Sequence, residues 1–420
     1  MRSTFKVFFR KKYLINERGY DIEGPFILVS NHPSTLTDVM NAAKQYDGYI
    51  HFLANAGMFK NPLFGSFLKN TFAIPIERPV DVGGRKIDNE ASFKYCYEHL
   101  GKGGNLYIAA EGGSKLTRSI RKLKTGTARI ALKAESLHDF GLNIRILPVG
   151  VSYTAPKRFR SDFMLNVGEP ILVKDYKEAY GDDDFQASRK ITEDMAIAMK
   201  KLVLHTDEAD HDVDKMVRIL EHIHQSDNKE TIKSQFPKSK QWIDKLVSMK
   251  REDTERFETI KNKVLGFCDA LSKENIKEQD LKAQPLLLDV FLLILGFIPA
   301  AFGYLNNFIF HHVPIFILKK TKLYPGYTST VYLLFGLVFL PIVYLGLFFV
   351  VKMISGSALI AGVYLLVAFL LGFFAAQYFR YFGRSLDKRR MRKFKKVNPS
   401  KFQSLKEDRK EIVDFIHTLS

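Results

Sequence analysis

Two long uncharged runs near the C-terminus limit what this chain can fold into more than any other feature. Residues 331–351 are 21 consecutive residues without a charge, and residues 353–379 are 27. A bilayer core requires about 20 apolar residues in helical form. A helix buried in a soluble protein is rarely apolar on every face over such a length. The sequence therefore predicts two transmembrane helices, 331–351 and 353–379.

A third apolar stretch, residues 285–318, has a different character. It contains Pro299, Pro314 and the pair Asn306–Asn307. At about 1.5 Å per residue it is too long for one straight crossing. We expect a bent hairpin, re-entrant or interfacial, whose two ends lie on the same side of the membrane. Basic residues flank the apolar segments, and positive loops stay in the cytoplasm. The sequence thus predicts an integral membrane protein with a basic cytoplasmic tail, residues 380–420.

The formal net charge of +18 favours a polyanionic partner, either nucleic acid or an anionic membrane surface. Positive residues concentrate in 1–20 and 380–396, beside apolar sequence, so membrane lipids are favoured and no nucleic acid is expected. Residues 1–20 lack the apolar core of a signal peptide. We expect an amphipathic membrane-associated arm there, with a docked terminal helix as the alternative. Neither the two cysteines nor the histidines of 205–224 have the spacing of a metal site.

Short β-rich runs alternate with helical patterns before residue 180. The runs that predict strands are 26–30, 49–54, 72–76, 105–110, 144–153 and 163–167. Such alternation is typical of α/β folds. We therefore predict an α/β domain over residues 21–180. Residues 181–282 carry long charged stretches with apolar residues at helical spacing, which predicts a helical region.

The stretch LVSNHPSTLTDVM, residues 28–40, places His32 directly after a strand and Asp38 six positions later. Residues six apart on one regular helix do not share a face. Pairing therefore requires His32 in the turn and Asp38 inside the next helix, and Pro33 and Ser34 favour a helix start there. A strand-end histidine oriented by a carboxylate is the arrangement a general base requires. Because no G-x-S-x-G elbow is visible, the hydroxyl that His32 activates would belong to the substrate.

Two further apolar runs in this domain end in charged or glycine-rich sequence. Arg78 follows one run, and Glu111 follows another, just before Gly112 and Gly113. The glycines allow close approach of the backbone to a ligand, and a basic cluster here can hold a phosphate. The basic candidates are Arg78, Lys115, Arg118, Arg121 and Lys124. Each feature alone has an ordinary explanation as a surface arginine, a turn or a solvated helix face.

Taken together and in order, these blocks resemble the glycerolipid acyltransferase superfamily of PlsC-like enzymes. The blocks are N-H-x5-D at 31–38, I-P-I-x-R at 74–78, E-G-G-S at 111–114, K-x-G-x-A at 124–128 and ILPVGVSY at 146–153. The five-residue His–Asp spacing, EGGS and F-R-S at 159–161 are similar to the branch of yeast-type glycerol-3-phosphate/dihydroxyacetone-phosphate acyltransferases. The motif resemblance covers about residues 20–175.

The resemblance implies a mixed sheet flanked by helices and an O-acyltransferase activity in phospholipid biosynthesis. In this scheme His32 and Asp38 are catalytic and deprotonate the acceptor hydroxyl, which attacks an acyl thioester. Substrate binding is implied for Arg78 and the turn Glu111, Gly112, Gly113 and Ser114, while the block around Pro148 is linked to the acyl donor. The expected partners are glycerol 3-phosphate or a related acceptor, acyl-CoA or acyl carrier protein as co-substrate, and membrane lipids. No other cofactor and no metal is expected, and the catalytic domain is expected in the cytoplasm.

The chain departs from the wider superfamily in ways that leave alternatives open. Its His–Asp spacing is one residue longer, Ala110 replaces the usual proline, and Ser114 replaces the arginine that commonly follows E-G-x. Phosphate binding then passes to Lys115, Arg118 or Arg121. The alternative acceptor is lysophosphatidate or another lysolipid, and a membrane scaffold with an inactive transferase domain is the non-enzyme alternative. The complete set of His32, Asp38 and Glu111 argues against the scaffold.

Overall fold

A computed structural model of the chain describes residues 7–16, 19, 21–60, 62–78, 81, 83, 86–228, 230–282 and 287–419. The chain divides into two compact units. The first comprises residues up to 205 together with 324–330, and the second comprises 206–323 with 331–420.

The first unit is built on a mixed sheet, which confirms the predicted fold class. Its strands are β1 (Lys12–Ile15), β2 (Phe26–Ser30), β3 (Ile50–Asn55), β4 (Ala73–Ile76), β5 (Asn105–Ile108), β6 (Arg145–Tyr153), β7 (Phe163–Val167) and β8 (Ile171–Leu172). The order is β1-β7-β6-β2-β5-β3-β4, with β8 paired to β6. The six predicted strands correspond to β2–β7, while β1 and β8 were not predicted.

The strand register explains why the candidate site residues meet. β2 runs parallel to both β5 and β6, and β3 runs parallel to both β4 and β5. The carboxyl ends of β2, β4 and β5 therefore lie at one edge of the sheet, where ligands of open α/β sheets bind. His32, Arg78 and Glu111 directly follow these three ends.

Helices cover the sheet and close its core. They are α1 (Leu36–Ala43), α2 (Pro62–Asn70), α3 (Glu90–Gly101), α4 (Gly126–Ser136), α5 (Lys177–Asp182) and α6 (Asp184–Leu202). Buried positions of α3, α4 and α6 pack in one apolar cluster with β2, β5 and β6. The boundary predicted at residue 180 is therefore wrong, because Ile191, Met195 and Met199 of α6 belong to the core of the first unit.

The structure also corrects the prediction of an N-terminal arm, for those of its residues that are described. β1 pairs in parallel with β7, from Lys12 opposite Phe163 to Ile15 opposite Asn166. Phe8 and Phe9 are buried, and Phe9 packs edge-on against Phe163. Apolar burial against the sheet holds these residues, so 7–15 are not a separate arm on a membrane face. Residues 1–6, 17, 18 and 20 of the predicted arm lie outside the described residues.

The second unit is helical throughout its described part. It contains α7 (His211–Asn228), α8 (Ile232–Glu252), α9 (Thr254–Lys273), α10 (Leu287–Thr321), α11 (Thr328–Ser355), α12 (Ala358–Val397) and α13 (Pro399–Leu419). Three helices are long and apolar enough to cross a membrane: α10, the segment Pro325–Ser355 that contains α11, and α12. The two predicted transmembrane helices correspond to α11 and α12. The break between them falls at Gly356, which has a φ of +68°, and not at Lys352.

The hairpin predicted for residues 285–318 is wrong, because 287–321 form one continuous helix of 35 residues. The paired asparagines do not interrupt it, since their amides donate to α10's own carbonyls. Asn306 donates to Phe302 O at 3.0 Å, and Asn307 donates to Gly303 O at 2.9 Å. The asparagine oxygens accept from tyrosine hydroxyls of α12 and α11 respectively, Tyr364 at 2.8 Å and Tyr344 at 3.0 Å. That the two ends of this helix lie on one side of the membrane stays a prediction.

Candidate functional site

His32 and Asp38 meet as the sequence predicts. His32 lies in the turn after β2, and Asp38 lies in the first turn of α1. His32 Nδ1 is 3.1 Å from Asp38 Oδ2, although the two atoms are not aligned as a hydrogen bond. With Nδ1 facing the carboxylate, Nε2 is the nitrogen left to exchange a proton with a substrate. Catalytic hydrogen bonds are often poorly aligned before substrate binds.

Asp38 is fully buried and is held by two neutral donors besides the histidine. The backbone N–H of Ser34 donates to Oδ2 at 2.6 Å, and the Tyr153 hydroxyl donates to Oδ1 at 2.7 Å. A buried carboxylate requires such partners because it has lost its water. Burial and the neighbouring Asp38 raise the pKa of Tyr153 well above its usual value, so Tyr153 remains a protonated donor. The start of a helix also favours an anion at this position.

The backbone around His32 is fixed from two sides. The Asn31 side chain donates to Val151 O at 2.9 Å and accepts from Val151 N–H at 2.7 Å, which ties the turn to β6. The His32 carbonyl accepts from Lys115 N–H at 3.1 Å, which ties it to the segment after Glu111. Thr35 adopts φ 51° and ψ −132° immediately before α1. A threonine with positive φ is uncommon and is held by its surroundings.

Glu111 is nearly buried and forms an ion pair with Arg121, Nε to Oε2 at 2.6 Å. Burial raises the pKa of Glu111, and the Arg121 guanidinium opposes that rise. Arg121 also donates to the Gly113 carbonyl. The structure therefore uses Arg121, one of the expected phosphate ligands, to hold the Glu111–Gly113 turn.

Arg78 lies against the same turn. Its Nη1 donates to Gly112 O at 3.3 Å, while Nε and Nη2 donate to Asp81 at 2.6 and 2.9 Å. Gly112 has a φ of +72°, which glycine adopts without strain. A Cβ on Gly113 would lie 3.4 Å from Arg78 Nη1, so the Arg78 guanidinium lies directly beside this glycine. Any phosphate held by Arg78 would have to share the guanidinium with Asp81.

The remaining candidates lie in the irregular segment between β5 and α4. Ser114 Oγ accepts from Thr35 N–H at 3.3 Å, so this serine joins the turn to the start of α1. Lys115 and Lys124 are exposed, and Arg118 is half-buried. Lys124 N–H donates to Ala110 O at 2.8 Å, which folds the segment back over the Glu111 turn. The structure thus brings His32, Asp38, Arg78, residues 111–115 and Lys124 to one edge of the sheet.

Two functional candidates were missed by sequence reasoning. Tyr153 contacts Asp38 across 115 positions of sequence and had been read only as the last residue of a strand. Residues 324–330, between two apolar segments, pack into the first unit. The position of Tyr153 at the carboxyl end of a strand is a partial sequence signal for a place in the site. No sequence signal indicates that residues 324–330 pack with the first unit. Among the described residues, no group of three or more His, Cys, Asp or Glu side chains could hold a metal ion.

The part of the chain that holds this site is similar to known proteins. Residues 6–152 match the family model described as Acyltransferase. Glycerol-3-phosphate O-acyltransferase 2 of Saccharomyces cerevisiae is 36% identical over 107 residues, which are 25% of this chain and 14% of that protein. Glycerol-3-phosphate O-acyltransferase 1 of the same yeast is 33% identical over 88 residues, 21% of this chain and 12% of the relative.

A solved structure also matches: the 1-acyl-sn-glycerophosphate (LPA) acyltransferase PlsC from Thermotoga maritima. It has 17% sequence identity and a TM-score of 0.34, covering 48% of this chain and 74% of that one. The alignments with the curated yeast relatives span only about one seventh of their length. The residues that are similar to this family model, 6–152, contain His32, Asp38, Arg78, Glu111 and most of β6.

Proposed function

We propose that this protein is an O-acyltransferase that moves a fatty acyl group from an acyl thioester to a hydroxyl of glycerol 3-phosphate or dihydroxyacetone phosphate. The observation that carries the proposal is the buried Asp38 facing His32 Nδ1, at the sheet edge that also holds Arg78 and the Glu111 turn. The donor is an acyl-CoA or an acyl carrier protein thioester, and the reaction requires no further cofactor.

The reaction requires His32 to take a proton from the acceptor hydroxyl and then to give it to the leaving sulfur. His32 Nε2 takes the proton of the acceptor hydroxyl as its oxygen attacks the thioester carbonyl carbon. Asp38, against Nδ1, stabilises the imidazolium that forms. Collapse of the tetrahedral intermediate breaks the C–S bond, and the imidazolium returns the proton to the leaving sulfur. The products are an ester and a free thiol, and His32 is neutral again.

The charge of the acceptor determines what the rest of the site must do. A small phosphorylated acceptor offers almost no apolar area, so its affinity must come from phosphate contacts. Arg78, Lys115, Arg118 and Lys124 supply positive charge beside the Glu111–Gly113 turn. Arg121 supports that turn through Glu111 and Gly113.

The acceptor choice draws on the relatives as well as on charge. The names of the two yeast proteins specify glycerol 3-phosphate as acceptor. An acylated acceptor would gain about 0.8 kcal/mol for each buried CH₂ group and would need room for a second chain. We place the catalytic domain on the cytoplasmic side of the membrane, where thioester donors are found.

The proposal is tested with the purified full-length protein, a labelled acyl-CoA and a panel of acceptors. We expect kcat/KM to be highest for glycerol 3-phosphate or dihydroxyacetone phosphate. His32→Ala should abolish transfer, and Asp38→Asn should lower kcat by orders of magnitude, with both variants still recovered in membranes. Ordinary turnover by His32→Ala would refute the mechanism. A preference for lysophosphatidate would change the acceptor and leave the acyltransferase assignment standing.

A further inference from the structure

The segment Tyr324–Thr330, with the sequence YPGYTST, folds with the first unit although it stands far from that unit in the chain. It forms a short 3-10 turn over Pro325–Tyr327 and then the first residues of α11. The rest of α11 is apolar and belongs to the second unit. The start of a candidate membrane helix is therefore a structural part of the unit that holds His32.

Five buried hydroxyl groups join this segment to the start of α1, and we call them the hydroxyl cluster. Ser34 Oγ lies 2.7 Å from Ser329 Oγ, and Thr35 Oγ1 lies 2.8 Å from Thr330 Oγ1. Thr37 Oγ1 lies 2.9 Å from Ser329 and 3.2 Å from Thr330. All five side chains are at most 5% exposed. Each hydroxyl of the cluster therefore has its partner within the cluster and not in water.

The residues in the cluster are the same ones that hold the catalytic pair. Ser34 N–H donates to Asp38 Oδ2 at 2.6 Å, so the position of Ser34 fixes one carboxylate oxygen. Thr37 directly precedes Asp38. Thr35, between them, has the positive φ described above, and its partner Thr330 gives a reason for that conformation to persist.

The segment also touches the second loop of the site. The Tyr324 hydroxyl accepts from Leu116 N–H, in the segment that follows Glu111. Thr35 Oγ1 donates to Gly326 O at 3.4 Å, and a Cβ on Gly326 would lie 3.3 Å from Pro33 O. The His32 turn and the post-Glu111 segment are thus both packed against residues 324–330.

From these contacts we infer that Ser329 and Thr330 are positioning residues for the His32–Asp38 pair. They act through Ser34, Thr35 and Thr37, and they do not touch the reacting atoms. This inference rests on the proposed role of His32 as the base. Small displacements in a preorganised site lower kcat strongly while substrate contacts elsewhere are unchanged.

The test compares matched variants of the full-length protein in detergent or nanodiscs. Thr330→Val keeps the shape and removes the hydroxyl, and Thr330→Ser keeps the hydroxyl. Ser329→Ala removes the partner of Ser34 and Thr37. The control is Thr328→Val, because the Thr328 hydroxyl donates only to Pro325 O, at 2.7 Å, outside the cluster. Activity is expressed per mole of folded enzyme, counted by size-exclusion chromatography.

We expect Thr330→Val and Ser329→Ala to lower kcat by about ten-fold or more, with the KM values of both substrates within about two-fold of wild type. Thr330→Ser should restore kcat, and Thr328→Val should match wild type. Wild-type kcat in both Thr330→Val and Ser329→Ala would overturn the inference. So would a loss of folded protein with an unchanged kcat in the fraction that folds. Turnover by His32→Ala would instead refute the proposed function.

Discussion

The hydroxyl of Tyr153 gives the sharpest test of how Asp38 is held. Tyr153→Phe removes the donor to Asp38 Oδ1 and keeps the ring, which packs on Phe9. Hydrogen bonds to charged groups are worth about 1.5–3 kcal/mol. Asp38 is 0% exposed, so water cannot replace the lost donor. We therefore expect the free energy of unfolding to fall by about 2 kcal/mol.

The same change should lower kcat. The change leaves Asp38 Oδ1 without the hydrogen bond from Tyr153. It also frees Oδ1 to turn toward Asn41, whose side chain donates to the Tyr153 hydroxyl at 3.2 Å. We expect this displacement of the carboxylate to misorient His32, and a catalytic histidine depends on its orientation. A ten-fold loss of kcat corresponds to about 1.4 kcal/mol, within the strength of the bond removed.

The assay is acyl transfer at saturating thioester, with denaturant unfolding of the same preparations. Tyr176→Phe is the matched control, because Tyr176 donates to Asp194 Oδ2 at 2.7 Å, the same length as the Tyr153–Asp38 bond. Tyr176 is half-buried and is not in the site, so its loss should affect stability slightly and kcat not at all. If Tyr153→Phe retained wild-type kcat, the idea that Asp38 requires this donor would be wrong.

Three further predictions use other parts of the structure. Arg78→Lys should raise the acceptor KM about ten-fold and leave the thioester KM unchanged, since lysine cannot reproduce a bidentate arginine contact; equal weakening of both substrates would contradict the assignment. Burial, together with the charge of His99, lowers the pKa of His51 to about 4. Above the usual histidine pKa of 6.5, His51 is neutral in both the folded and the unfolded chain. As the pH falls from 6.5 toward 4, His51 binds a proton in the unfolded chain but not in the folded one, so the folded state loses stability. His51→Phe should therefore flatten the fall in Tm between about pH 7 and pH 4.5, and an unchanged slope would count against this account. In the second unit, a Cβ on Gly303 would meet Leu371 O at 2.0 Å, whereas Gly362 has nothing within 4 Å. Gly303→Ala should destabilise by about 1–3 kcal/mol and Gly362→Ala should not, as thermal unfolding in detergent would show; equal Tm values for the two variants would refute the packing argument.

The fold of the first unit follows from local pattern more than from any long-range signal. Strand runs such as FILVS appear at their predicted bounds because a fully buried parallel strand is apolar at nearly every position. The meeting of His32, Arg78 and Glu111 was foreseeable because each follows a strand in a parallel arrangement. β1 was missed because its sequence is basic and aromatic, and only pairing with β7 makes it a strand.

Contacts across long sequence separations set the limit of prediction at the site. No local pattern indicates that Tyr153 contacts Asp38 or that Arg121 engages Glu111, because both side chains have several possible partners nearby. The error in α10 has a similar origin. Asn306 and Asn307 looked like helix breakers, but their amides are satisfied by carbonyls one turn earlier and by tyrosines of other helices.

The packing of residues 324–330 with the first unit also limits how often the chain before them can cross a membrane. His205 and Tyr324 belong to one folded unit, so a bilayer cannot pass between them, and the chain that joins them must cross an even number of times. Among the described residues between them, α10 is the single helix apolar and long enough to cross. We therefore expect the two ends of α10 to lie on the same side of the membrane. Labels attached at Lys273 and Lys322 should then react from the same face.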